Sequence, residues 1–302
     1  MKLRRAPSTQ ALGQTALQRQ QGSQWVDLNL TPGSDEAAAL DWLGALPTLR
    51  QEGEGPRLPF QPLSFRDGML FEQHWVQSSR GYARRFMPAS YRLTQLFERL
   101  TGRPFPAFRP AALWHRQPIY YFGNHMTLVP GGTAVQAPDY TQALDYELEL
   151  GWVLARPLYN ATPEEALAAI GGFVVVNDFS ARDVQRAEMQ TGLGPQKSKH
   201  FLSSMSPTLV TADEILPIVG QLQARVEING RCVSSTSTQG MRYHPGEVLA
   251  HLSRSERLYP GELIASGTLP GGCGMETGHW LQRGDTLRLV IDPIGEIVHT
   301  IA

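Results

Sequence analysis

The apolar positions of this chain come in short clusters set apart by Gly, Pro and polar residues, which predicts a strand-rich α+β fold with scattered short helices. Residues 144–154 are mainly apolar but carry Asp145, Glu147 and Glu149, and predict a strand about to enter a core. Residues two apart on a strand point to one face, so the two glutamates aim at the same place. The unbroken run 172–176 predicts a buried strand. Residues 24–28, 119–122, 133–136, 262–265 and 286–291 predict further strands, and the tail 296–301 alternates like one more. Asn229-Gly230 predicts a hairpin turn within 226–233. Helices are predicted at 34–43 behind Ser34, at 91–100 with Leu93, Leu96, Phe97 and Leu100 on one face, and at 247–252. The box Thr162-Pro-Glu-Glu165 predicts a helix to Ile170, and Ser180 is expected to cap another. Residues 66–77 predict a helix or a tight turn leading into one. The polar stretch 51–56 suggests a linker, so residues 1–60 are expected to form a small N-terminal unit and 61–302 the main domain.

Composition narrows the class. The chain has 302 residues, 41% hydrophobic and 18% charged, with a formal net charge of −1 and no basic block, so nucleic acid is not an expected partner. No apolar run approaches the ~20 residues that span a bilayer, and no apolar stretch follows the basic start, so neither a membrane segment nor a secretory signal is expected. The two cysteines, Cys232 and Cys273, are too few for a disulfide framework or a zinc site and suit a reducing cytoplasm.

Four groups of residues carry candidate chemistry. Glu147, Glu149 and Asp178 are carboxylates without His or Cys among them, a donor set that suits a hard cation. Spacing alone favours an ordinary exposed strand face for the glutamates and a helix cap for Asp178. Asp67 and His74 follow one another closely, as a further ligand and a general base or as a cap and a surface imidazole. Arg182 and Gln185 share a helix face, and with Lys197 they suit a substrate carboxylate or a developing enolate; ordinary salt bridging is the commoner fate of such cations. Thr268, in Ser266-Gly-Thr268, offers a hydrogen-bond donor, and Glu276 stands after a glycine-rich turn where it is able to orient a histidine.

Together the runs Asp145-Tyr-Glu-Leu-Glu149, Val176-Asn-Asp-Phe-Ser-Ala-Arg-Asp-Val-Gln185, Lys197-Ser198, Ser266-Gly-Thr268 and Arg66-Asp67 with Phe71-Glu-Gln-His74 resemble the fumarylacetoacetate hydrolase superfamily, in the family's order from about residue 65 onward. The resemblance implies a mixed β-roll, with the N-terminal unit only faintly family-like, and usually a homodimer. It implies Asp67, Glu147, Glu149 and Asp178 as ligands of one divalent cation, Mg²⁺ first, with Ca²⁺ and Mn²⁺ also accepted. It implies His74 as activator of water, oriented by Glu276, with Lys197, Arg182 and Gln185 steadying substrate oxygens and Tyr121 and Thr268 contacting substrate. The implied reaction is hydrolysis of a C–C bond in a β-diketone or acylpyruvate-like acid. Decarboxylation, hydration or isomerisation of a small oxo-acid on the same scaffold is the alternative, and a non-catalytic binding protein of this fold ranks below both. Met69 stands where the fumarylacetoacetase branch has a substrate-binding Tyr.

Overall fold

The computed structural model describes residues 1–8, 15–28, 31–46 and 55–302. Its strands are β1 (Lys2–Pro7), β2 (Thr15–Gln21), β3 (Gln24–Asp27), β4 (Ser64–Gly68), β5 (Tyr120–Gly123), β6 (Leu128–Pro130), β7 (Leu144–Asp145), β8 (Glu147–Leu154), β9 (Ile170–Asp178), β10 (Ser180–Ala181), β11 (Ser203–Met205), β12 (Thr208–Thr211), β13 (Gln223–Ile228), β14 (Arg231–Ser237), β15 (Glu262–Cys273), β16 (Thr286–Ile291) and β17 (Gly295–Thr300). One mixed sheet of eleven strands runs β3-β2-β1-β12-β9-β8-β15-β4-β5, with β11 on β9 and β6 on β11. A second sheet of four, β14-β13-β16-β17, packs beside it, and β7 pairs with β10.

Buried on every residue, β8 lies at the centre between antiparallel β9 and β15. Leu148, Leu150, Trp152, Phe173 and Val175 belong to the core shared with Leu287, Leu289 and Ile297 of the second sheet. Leu3, Trp42, Leu43 and Phe60 pack with Val153, Val174 and Leu263 in a second core. The N-terminal strands therefore continue the main sheet, β1 pairing antiparallel with β12. The linker expected at 51–56 lies mostly outside the described residues.

Most predicted elements are present, with informative shifts. Ser34 caps the helix α1 (Asp35–Ala45) by accepting from Ala37 N. The capping box opens α4 (Pro163–Ala168) as expected, but Ile170 already belongs to β9. Residues 66–68 are the end of strand β4; the helix α2 (Glu72–Phe86) begins later, because Arg66 and Asp67 are held in register with β15. Residues 133–136 form no strand, only an isolated bridge from Val135 to Ile301. The helix α3 (Pro88–Thr101) has its leucines exposed, Leu93 at 71% and Leu100 at 78%. Helix α5 (Arg182–Gln190) starts after Ala181, with no side-chain cap from Ser180. Helices α6 (Ala212–Ile215), α7 (Pro245–Leu252) and α8 (Gly274–Thr277) complete the set, and the hairpin turn has Asn229 and Gly230 at φ 53° and 74° as its sequence demands. Among the described residues no helix is long and apolar enough to cross a membrane.

One glycine sets the approach of two helices that matter below. A Cβ on Gly81 of α2 would lie 1.8 Å from the carbonyl oxygen of Met275 in α8. Gly81→Ala is therefore expected to push α2 off α8, at an overpacking cost of about 1–3 kcal/mol. Thermal unfolding checks this, since the melting temperature should fall; an unchanged value would mean the helices do not pack this closely.

Candidate active site

Successive strands deliver their polar groups to the same end of the main sheet. Asp178 ends β9, Glu147 and Glu149 lie on β8, Thr268 on β15, Asp67 on β4 and Tyr121 on β5. Register enforces this: Glu149 stands opposite Thr268 and Val176, and Asp67 opposite Ala265 and Tyr121. Gly267, at φ 75°, lets β15 approach β4, where a Cβ would meet the Gly68 oxygen at 2.4 Å. Asp67, Tyr121, Glu147, Glu149, Arg182, Gln185, Lys199, Thr268 and His74 line a cavity of about 390 Å³.

Oxygens of Asp67, Glu147 and Glu149 lie within 4.8 Å of one another, all buried. Asp178 stands beside this trio: Ser203 Oγ donates to its Oδ1 at 2.8 Å, and Tyr121 Oη and Lys199 Nζ donate to its Oδ2. The exposed strand face that spacing alone favoured is thus not what forms. Thr268 Oγ1 makes only a long contact of 3.4 Å to Glu149.

Five buried carboxylates, Asp67, Asp145, Glu147, Glu149 and Asp178, share two buried cations, Arg182 and Lys199. Arg182 reaches Asp145 Oδ2 at 2.9 Å, Glu147 Oε1 at 2.7 Å and Gln185 Oε1 at 3.0 Å. Burial works against the charges of Arg182 and Lys199, but Glu147 with Asp145 and Asp178 with Glu147, respectively, outweigh it and hold both protonated. Burial likewise opposes ionisation of Glu147, and here Arg182 and Lys199 win and hold it ionised. Among charges Asp67 has only that of Lys199 in its favour, which is outweighed, and Glu149 has no such help. Burial, then the Asp178 charge for Asp67 and the Asp67 charge for Glu149, push both well above the usual carboxylate range. Asp67 Oδ1 and Glu149 Oε2 are buried without a hydrogen-bond partner. An oxygen-only donor set with two orphaned buried oxygens and surplus negative charge fits a hard divalent cation held by Asp67, Glu147 and Glu149, with Asp178 alongside.

The lysine expected at this site, Lys197, is elsewhere. The Glu188 carboxylate accepts from the backbone N–H groups of Gln196, Lys197 and Ser198, which turns the chain so that Lys197 is exposed over the Tyr140 ring and Lys199 points inward. Two lysines with one residue between them were the available signal, and only the turn decides which enters. Sequence reasoning also passed over Asp145. It binds Arg182 and accepts from Gly274 N at 2.7 Å and Met275 N at 3.0 Å, tying α8 to the cluster.

That tie positions the second half of the site. His74, 2% exposed on α2, has Nδ1 3.0 Å from Glu276 Oε2 on α8, off the direction of a good hydrogen bond. Glu276 Oε2 is fixed by Gly271 N at 3.0 Å. Arg84 and Arg85 reach carbonyl oxygens of Glu276 and Gln142, and neither lines the cavity.

The family description "Fumarylacetoacetate (FAA) hydrolase C-terminal" matches residues 99–302. The oxaloacetate tautomerase YisK of Bacillus subtilis (strain 168) is 31% identical over 186 residues, 61% of each chain. The chain thus spans 61% of the length of that curated relative. A fumarylacetoacetate hydrolase from psychrophilic Exiguobacterium antarcticum superposes with a TM-score of 0.69 at 22% identity, over 100% of this chain and 99% of that one. Fumarylpyruvate hydrolase from Pseudomonas aeruginosa, in complex with Mn²⁺ and pyruvate, superposes with a TM-score of 0.61 at 20% identity, over 85% and 96%.

The raised carboxylates carry a pH consequence. With folded pKa values above the unfolded ones, Asp67 and Glu149 hold protons that the unfolded chain has released. Stability of the metal-free protein should therefore fall as pH rises from the ordinary carboxylate range through these raised values. A divalent cation competes with the same protons, so the increment in melting temperature on adding Mn²⁺ or Mg²⁺ should grow with pH. An increment independent of pH would contradict the assignment.

Proposed function

From the premise that this chain belongs to the fumarylacetoacetate hydrolase family, we propose that it is a divalent-metal-dependent enzyme that hydrolyses a C–C bond beside a carbonyl in an acylpyruvate-like or β-diketone acid. The observation that carries this reading is His74, on the wall of a cavity floored by three converging carboxylates, with the buried Glu276 carboxylate 3.0 Å from its Nδ1. A divalent cation at Asp67, Glu147 and Glu149 supplies Lewis-acid polarisation of a bound carbonyl. Mg²⁺ heads the expectation, and the fold neighbour holding Mn²⁺ and pyruvate supports an ion and acid of this class.

The residues divide the remaining work. His74 takes a proton from water through Nε2, while Glu276 at Nδ1 orients the ring and stabilises the imidazolium. The water oxygen adds to the carbonyl carbon, the C–C bond breaks, and its electron pair passes to the leaving carbon, conjugated with the adjoining carbonyl. His74 returns the proton to that carbon. Lys199 and Arg182, both held charged, stabilise the negative charge that develops on oxygen, and the Gln185 amide, its Oε1 bound to Arg182, directs donors to the substrate. Tyr121 and Thr268 complete the polar wall.

A second reading rests on the 31% identity to an oxaloacetate tautomerase. The same base moves a proton between carbon and oxygen of a small oxo-acid with no water consumed. Product analysis separates the two: two acids formed from an acylpyruvate support hydrolysis, and an enol–keto change without cleavage supports tautomerisation. Under either, His74→Asn should lower kcat by about 10²–10⁴ while leaving the cation-induced rise in melting temperature intact. Wild-type turnover in this variant would contradict both. Lys199→Met should cost roughly 10²–10³ in rate, whereas Lys197→Met, on the exposed loop, should change turnover little; equal losses would contradict the reassignment.

A further inference from the structure

Next to the carboxylate trio, with Cys273 directly opposite Glu147 in the β8–β15 pairing, lies a second donor set of different chemistry. Cys273 ends β15, Glu276 lies one turn on in α8, and both face His74 of α2. Ligand atoms of His74, Cys273 and Glu276 lie within 4.8 Å of one another. Cys273 Sγ is 3.4 Å from Glu276 Oε2, and that oxygen is 3.0 Å from His74 Nδ1. His74 Nδ1 and Glu276 Oε1 are both buried and without a hydrogen-bond partner. These are side chains with unspent ligand capacity, aimed at one point.

The spacing suits a particular ion. In a tetrahedral zinc site, bonds of about 2.0–2.3 Å put neighbouring ligand atoms roughly 3.3–3.7 Å apart. The observed 3.0 and 3.4 Å need to open by only a few tenths of an ångström. A nitrogen, a thiolate sulfur and a carboxylate oxygen form a borderline-soft set, whereas the neighbouring trio is oxygen only. Mg²⁺ has little affinity for sulfur, so the two sites discriminate between the ions by chemistry. Of the three, His74 lines the cavity.

We propose that His74, Cys273 and Glu276 form an inhibitory zinc site, in which Zn²⁺ captures His74 Nδ1 and removes the imidazole from its proton-transfer role. As the Zn–N and Zn–S bonds form, the imidazole proton moves from Nδ1 to Nε2 and the thiol proton leaves to solvent; no electron transfer is involved. The inhibitory consequence rests on the function proposed above; the metal site itself does not.

Cobalt(II) is the probe, as a spectroscopic stand-in for zinc. The chain has two cysteines, so in Cys232→Ser any sulfur-to-cobalt absorption in the near ultraviolet arises from Cys273. In excess Mg²⁺, which keeps the carboxylate site filled, Cys232→Ser should develop this band, and one equivalent of Zn²⁺ should abolish it. Adding His74→Gln should weaken cobalt binding by about 10–100-fold, the scale on which coordination-shell losses act. Absence of the band in Cys232→Ser, or a band insensitive to His74→Gln, overturns the site. Turnover tests the consequence separately: Zn²⁺ in excess Mg²⁺ should inhibit, and Cys273→Ser, or Cys273→Ala should the serine variant not fold, should raise the half-inhibiting concentration about 10–100-fold. Equal inhibition with and without Cys273 would place the inhibiting ion elsewhere and overturn the regulatory claim, while a cobalt band without any inhibition would overturn the dyad's role and leave the metal site standing.

Discussion

Uncompensated negative charge buried at the end of one sheet is the constraint on which the rest of this structure turns. Carboxylates taken out of water are costly unless paired or protonated. Here Glu147 is paired twice, with Arg182 and Lys199, while Asp67 and Glu149 are left to share protons. Removing one cation would leave an uncompensated buried charge, which is why Arg182 and Lys199 sit as deep as the acids they serve. The surplus that remains after both cations are counted is what a bound divalent ion would neutralise.

The same charges organise the architecture around them. Arg182 begins α5 directly after β10, so its guanidinium bridges Asp145 on β7 and Glu147 on β8. Asp145 then holds the first backbone N–H groups of α8. Glu276 is thereby positioned through the cluster, although it touches none of the carboxylates. The carboxylates ride on strands in fixed register, and the His74–Glu276 pair rides on helices packed through Gly81. The strand-borne cluster and the helix-borne His74 line one cavity.

Much of this was legible in the chain, and the failures share a cause. The buried strand at 172–176, the Asn229-Gly230 turn and the Thr162 capping box depend on local sequence, and they formed where periodicity and turn chemistry predicted. Asp67, His74, Glu147, Glu149, Arg182, Gln185 and Thr268 all line one cavity, a convergence that only the family resemblance, and not spacing, suggested. What went astray depends on distant partners. Residues 66–68 became a strand because β15 pairs with them, and 133–136 did not because nothing but Ile301 does. Lys199 displaced Lys197 because a carboxylate on α5, Glu188, folds the loop. Asp145 opens the run that holds both glutamates, but nothing local marks its task, and its role appears only when Arg182 and the start of α8 converge on it.

The central claim is that Asp67, Glu147 and Glu149 hold one divalent cation. Anomalous diffraction at the manganese edge, from crystals equilibrated with Mn²⁺, tests it most directly. The account predicts one strong peak within bonding distance of oxygens from all three residues. No peak there, or a dominant peak elsewhere on the chain, would contradict it.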